Sequence, residues 1–86
     1  MPIAYADIRV GFRFLLNGRL HKNSYGGGLQ NKVWNNYEVR IVGIINDPNR
    51  ECPILLGDDW SDELGWVSPE ELTGEVYGSI RAYYIS

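Results

Sequence analysis

Between Tyr37 and Ile45 the chain alternates and then turns wholly apolar: Tyr37, Val39 and Ile41 are separated by Glu38 and Arg40, and Val42, Ile44 and Ile45 follow. A period of two marks a strand that buries one face. The apolar close predicts that this strand runs into a part of the core covered on both faces. Asn46-Asp47-Pro48-Asn49 then supplies turn chemistry, because Pro fixes φ and Asn and Asp side chains bond back to nearby amides. The same alternation occurs upstream. Val10, Phe12, Phe14 and Leu16 are interleaved with Gly11 and Arg13 and run directly into Asn17-Gly18, a pair suited to a two-residue hairpin because both positions accept positive φ.

The remaining segments are equally short. Asn23 to Lys32 reads NSYGGGLQNK, where three consecutive glycines predict a connecting loop in place of a regular element. Pro53-Ile54-Leu55-Leu56 predicts a short apolar strand, Gly57 to Leu64 an acidic loop carrying Trp60, and Gly65-Trp66-Val67 another strand. Ser68-Pro69-Glu70-Glu71 has a capping Ser, Pro at the first helical position and a carboxylate three residues after the cap, the pattern of a capping box. Thr73-Gly74 stops that helix after about one turn. Val76 to Ile85, rich in Tyr, predicts a last strand with a bend at Gly78. With 86 residues there is room for one domain only. The expected fold is therefore all-β, with five or more short strands and one helical turn near the C-terminus, and the order resembles a small SH3-like barrel.

Composition removes several function classes. The longest apolar runs fall far below the ~20 residues of a bilayer span, and no basic region precedes an apolar stretch, so neither membrane insertion nor an export signal of its own is expected. Residues 1–43 hold six Lys/Arg against two Asp/Glu, residues 44–86 two against nine, and the net charge is −3. No basic cluster results, and nucleic-acid binding, which needs concentrated positive charge, is not expected. Cys52 is the single cysteine and His21 the single histidine. An internal disulfide and a cysteine-based zinc cluster are thereby excluded, metal-dependent or acid–base hydrolysis lacks its usual groups, and no zinc site or other metal site is expected. Cys52 is expected as a small buried residue and His21 as a solvated or hydrogen-bonded strand residue. A Cys52/His21 dyad has no local motif behind it. Asp58, Asp59, Asp62 and Glu63 lack the alternating oxygens and central glycine of an EF-hand and are expected as a solvated loop. No cofactor is expected.

Aromatic and polar surface near the loops remains. Phe12, Phe14, Tyr37 and Trp66 are expected in the core. Tyr25, Trp34, Asn36, Asp59 and Trp60 are the candidate ligand-binding residues, the rings packing on an extended ligand and the amide and carboxylate groups orienting it. Trp60 lies in DDWSDE, where full burial would drag charge inward, so it is expected either to contact a ligand or to cap one end of the fold.

Val10-Gly11, Asn23-Ser24-Tyr25-Gly26-Gly27-Gly28, Cys52-Pro53-Ile54 and Leu64-Gly65-Trp66-Val67-Ser68 followed by Leu72 form an ordered set. In this order they resemble the SH3b-like cell-wall-binding domain of phage endolysins and bacterial autolysins of the N-acetylmuramoyl-L-alanine amidase type. The resemblance covers about residues 8–73. Asp58 to Glu63 lengthens the loop before Gly65, and residues 74–86 extend beyond the family's usual end.

The resemblance implies a single domain over 1–86, a core at 8–73 and a strand extension at 74–86. It also implies a module without catalysis of its own that anchors a peptidoglycan hydrolase to the Gram-positive wall. Its expected partners are peptidoglycan or an attached wall polymer and a catalytic endolysin chain or domain. Such a module is made in the infected bacterial cytoplasm and acts at the host wall. A homo-oligomer is a further expectation, since several weak wall contacts become tight through avidity, with Tyr77, Tyr83 and Tyr84 as candidate interface residues on an edge strand. The alternative is an intracellular SH3-like interaction module that binds an extended peptide.

Overall fold

The computed structural model describes residues 8–73 and 80–84. The elements are β1 (Arg13–Gly18), β2 (Trp34–Ile44), β3 (Ile54–Gly57), β4 (Gly65–Val67), a helical turn α1 (Pro69–Thr73) and β5 (Ile80–Tyr84). They form one sheet in the order β4-β3-β2-β1-β5, antiparallel throughout. β1 to β4 follow each other as a meander, and β5 returns to pair with β1. The described residues are thus all-β apart from the helical turn α1. No described helix is long and apolar enough to cross a membrane.

Alternate residues of the strands supply the core, as the period of two requires. Phe14 and Leu16 of β1, Val39 and Ile41 of β2, Ile54 and Leu56 of β3 and Val67 of β4 are fully buried, joined by Leu20 and by Leu72 of α1. Tyr37, Phe12 and Trp34 pack against this cluster while remaining partly exposed. Phe14 alone of the four expected core aromatics is fully enclosed; Trp66 is half-buried. Val10, placed on the same face by the alternation, is 61% exposed, because β1 starts only at Arg13, after a turn in which Gly11 takes a φ of 92°.

Two irregularities shape β2. Between the pairs Leu16↔Tyr37 and Gly18↔Trp34, β1 advances by two residues and β2 by three. The extra residue is a bulge, and Asn36 occupies it with a left-handed φ of 47°. Its amide donates to Oδ1 of Asn17 at 2.9 Å. The second bulge lies between Ile41↔Leu56 and Gly43↔Leu55, where Val42 is the added residue. This bulge accounts for the apolar run that predicted a doubly covered segment: the facing changes at Val42, and Ile44 is 42% exposed.

Asn17-Gly18 does not make the expected tight hairpin. Gly18 has positive φ (115°), yet the chain continues through residues 19–33 before β2 begins. Leu20 is completely buried in that segment, and enclosing a leucine is worth about 1.5–3 kcal/mol, enough to override a local turn preference. Beyond it, the backbone of His21 exchanges hydrogen bonds with Trp66, His21 N–H to Trp66 O at 2.9 Å and Trp66 N–H to His21 O at 3.1 Å. The glycine loop thereby covers the outer edge of β4. Of the expected last strand, Ile80–Tyr84 is described and forms β5; Tyr77 and the bend expected at Gly78 lie outside the described residues.

Candidate functional site

The expected site residues do not gather in one place. Asp59 and Trp60 lie on the acidic loop, Trp34 packs on Tyr37, whose hydroxyl reaches Asp58 of that loop, Tyr25 belongs to another surface, and Asn36 contributes backbone geometry.

The first surface is built where β2 faces the acidic loop. In a regular strand Trp34 and Tyr37, three apart, would point to opposite faces; the bulge at Asn36 puts them together, with ring centroids 4.6 Å apart. Lys32 sits over the Trp34 ring at 4.8 Å. Trp34 Nε1 is buried and has no hydrogen-bond partner among the described residues, so what Trp34 can offer a ligand is its ring. The Tyr37 hydroxyl reaches Asp58, whose other oxygen accepts the amides of Trp60 at 2.8 Å and Ser61 at 2.7 Å. Asp58 is therefore a loop organiser and not the solvated carboxylate the composition suggested. Its carboxyl is held below the ordinary range, chiefly by the Tyr37 hydrogen bond; burial opposes this, while the two amides and Arg40 reinforce it. The Tyr37 phenol is pushed up, mainly by the same hydrogen bond, then by burial and by the charges of Asp58 and Asp59.

With its backbone held by Asp58, Trp60 is 84% exposed, and it caps nothing. Arg40 lies beside it, 3.9 Å from Asp59 and 3.4 Å from Asp62. A groove of about 620 Å³ is lined by Val10, Gly11, Arg13, Leu55 and the pair Arg40 and Asp62; Trp60 and Asp59 are not part of its lining. An exposed indole on a loop fastened through its backbone, with a guanidinium and two carboxylates on the same loop region, can stack on one part of a polymer and hydrogen-bond to another.

The second constellation adds Glu71 to the Cys52/His21 pair, an addition missed in the sequence. His21, Cys52 and Glu71 come from three separate segments, yet one ligand atom of each lies within 4.8 Å of the others. His21 Nδ1 faces the Gly27 carbonyl at 3.1 Å, and Nε2 faces the Glu71 carboxylate at 3.0 and 3.2 Å. Glu71 simultaneously closes the expected capping box: its Oε1 accepts the Ser68 amide at 2.9 Å, and the Glu71 amide donates to Ser68 Oγ at 3.3 Å. Cys52 is buried, and its thiol is pushed up to about 11 by burial first and then by Glu71, Glu51 and Glu70. The three groups line an open pocket of about 620 Å³ together with Leu29, Arg50 and Pro69. Tyr25 stands at this side, 61% exposed, with the Arg50 guanidinium 3.9 Å over its ring. Arg50 also donates to Ser24 Oγ and pairs with Asp47. The signal that could have found the constellation is the capping box itself, which returns the Glu71 carboxylate to the helix start.

Tyr83 and Tyr84 lie on β5, opposite Leu15 and Phe14 of β1, at the end of the strand order. Compared with protein families, curated proteins and solved structures, the chain matches none.

Proposed function

We propose that this chain is a non-catalytic cell-wall-binding module with an SH3b-like barrel fold, which holds peptidoglycan or an attached wall polymer through the Trp60 surface. The observation that carries the reading is the exposure of Trp60 on a loop whose backbone is fastened by Asp58. An indole kept in water on an ordered support adds nothing to the core, and it is the kind of group that anchors a ligand with little ordering cost. Asp59, Asp62 and Arg40 supply the polar rim, and Trp34 lies behind it on Tyr37. Glycan or stem peptide suits this surface better than an anionic teichoic polymer, given the carboxylates beside Trp60.

The motifs that resemble the SH3b-like family fall at coherent places in the fold. Val10-Gly11 turns into β1, Cys52-Pro53 leads into β3, and Gly65-Trp66-Val67 is β4, followed directly by α1. The reading without catalysis is supported at Cys52: burial and the nearby carboxylates push its thiol up to about 11 and so hold it in its neutral, poorly nucleophilic form, while the two His21 ring nitrogens face the Gly27 carbonyl and the Glu71 carboxylate. In this reading the catalytic work belongs to a peptidoglycan hydrolase chain or domain, the site of action is the host wall, and β5 with Tyr83 and Tyr84 is the candidate contact between copies.

The test is sedimentation of the purified chain with Gram-positive sacculi. Binding is expected, with Trp60→Ala weakening it by about thirtyfold, the equivalent of the ~2 kcal/mol typical of an aromatic anchor. Equal binding by wild type, Trp60→Ala and Trp34→Ala would remove this surface. Fluorescent protein that leaves every intact host cell dark would favour the peptide-binding alternative.

A further inference from the structure

We propose that His21, Cys52 and Glu71 form a binding site for one zinc-class divalent ion, with nitrogen, sulfur and oxygen ligands and a fourth position open to the pocket. This is independent of what the Trp60 surface holds.

The donor set is chemically coherent. Imidazole, thiolate and carboxylate are the ligands zinc takes, and three protein ligands with one open position is a recurrent arrangement. Tetrahedral coordination at zinc bond lengths puts ligand atoms about 3.3–3.6 Å from each other. His21 Nε2 and the Glu71 oxygens are at 3.0 and 3.2 Å, and the whole set, Cys52 Sγ included, lies within 4.8 Å, about 1.2 Å beyond the widest spacing a tetrahedral ion requires.

The support around the ligands points the same way. Metal-binding histidines almost always anchor their other nitrogen on a carbonyl or carboxylate, and His21 Nδ1 is anchored on the Gly27 carbonyl at 3.1 Å. Glu71 is oriented by the Ser68 amide, and the Cys52 backbone is fixed by its amide bond to the Ser24 carbonyl at 3.0 Å. Glu51 and Glu70 add negative charge along the pocket wall. This surplus opposes a bare thiolate and favours a divalent cation beside it, because a bound cation inverts the local electrostatics. Arg50, the opposing charge on the wall, is occupied by Ser24, Asp47 and the Tyr25 ring.

An incoming ion takes the place between Nε2 and the Glu71 carboxylate: Nε2 binds through its lone pair, any proton it carries and the proton on Sγ pass to solvent, and the ion forms bonds to Nε2, Sγ and a Glu71 oxygen. The bound ion joins the glycine loop, the segment entering β3 and α1.

The untagged full chain, kept reduced and stripped with chelator, is titrated with Co²⁺ as a spectroscopic substitute for Zn²⁺. One ion per chain is expected, with the visible bands of tetrahedral cobalt and a near-ultraviolet thiolate-to-metal charge-transfer band. Zn²⁺ should displace Co²⁺ and raise the unfolding midpoint of the wild type. Cys52→Ser should abolish the charge-transfer band and weaken binding by more than tenfold. A wild-type spectrum that stays octahedral and lacks the charge-transfer band overturns the proposal without reference to any variant. So does a folded Cys52→Ser protein that binds as tightly as wild type.

Discussion

The Tyr37 hydroxyl donates to Oδ2 of Asp58 at 2.6 Å, tying the middle of β2 to the first residue after β3. The other oxygen of the same carboxylate accepts the amides of Trp60 and Ser61, so the phenol braces the carboxylate that holds the backbone beneath the exposed indole. Removing it should affect stability and wall binding together.

The pH dependence of this pair has a definite sign. The Asp58 carboxyl is depressed in the folded state, so its contribution is present above the ordinary carboxylate pKa, about 3.9, and is lost as pH falls through the lower folded value. The Tyr37 phenol is raised, so its contribution is present below the ordinary pKa of about 10 and disappears as pH climbs through the folded value. Tyr37→Phe should flatten both flanks of the stability–pH profile in urea unfolding. Profiles of wild type and variant that run parallel at both ends would show that the bond carries no such linkage.

Asn36 should tolerate glycine and resist branched residues. At a φ of 47°, Asn36→Gly keeps both the bulge and the amide bond to Asn17, whereas Asn36→Val should cost roughly 1–2 kcal/mol because a left-handed backbone crowds Cβ. Denaturant midpoints give the comparison. The valine variant should also separate Trp34 from Tyr37, visible as a change in near-ultraviolet circular dichroism.

Gly65 is held to glycine by space. A Cβ there would stand 2.6 Å from Leu20 Cβ and 2.7 Å from Gln30 Nε2, and that amide donates to the Leu64 carbonyl at 2.9 Å. Gly65→Ala should destabilise by about 1–3 kcal/mol, the usual range for overpacking, measured by thermal or urea unfolding. A variant as stable as wild type would mean that the glycine loop moves aside freely.

Leu56 and Trp60 should separate folding from binding. Leu56 is fully buried, and Leu56→Ala is expected to cost about 2–5 kcal/mol. Trp60→Ala should leave stability within about 0.5 kcal/mol, since the ring is 84% exposed, while reducing sacculus binding. Loss of stability in Trp60→Ala comparable to Leu56→Ala would place the indole in the fold instead of at a ligand.

Much of the fold was legible in local patterns. Phe14 and Leu16, and Val39 and Ile41, occupy the buried face that their alternation predicted, and Ser68 and Glu71 cap α1 as their spacing required. What misled was a local signal in competition with burial: Asn17-Gly18 suits a hairpin, but burying Leu20 carries the chain onward. At the candidate site, Trp60 could be recognised because charged neighbours on both sides oppose its burial. The role of Asp58 could not, because its partner Tyr37 lies 21 residues away and nothing near either residue reports the contact.

The amino-acid order by itself determined the short strands and the helical turn, because each depends on side chains within a few positions of one another; it left Trp60 between ligand contact and capping, and only the fold leaves it 84% exposed. The tertiary structure alone decided that a bulge at Asn36 would bring Trp34 onto Tyr37 and that His21 would meet Glu71 across 50 residues of chain. Those meetings depend on strand register and on how the glycine loop packs against β4, and register is a property of the assembled sheet.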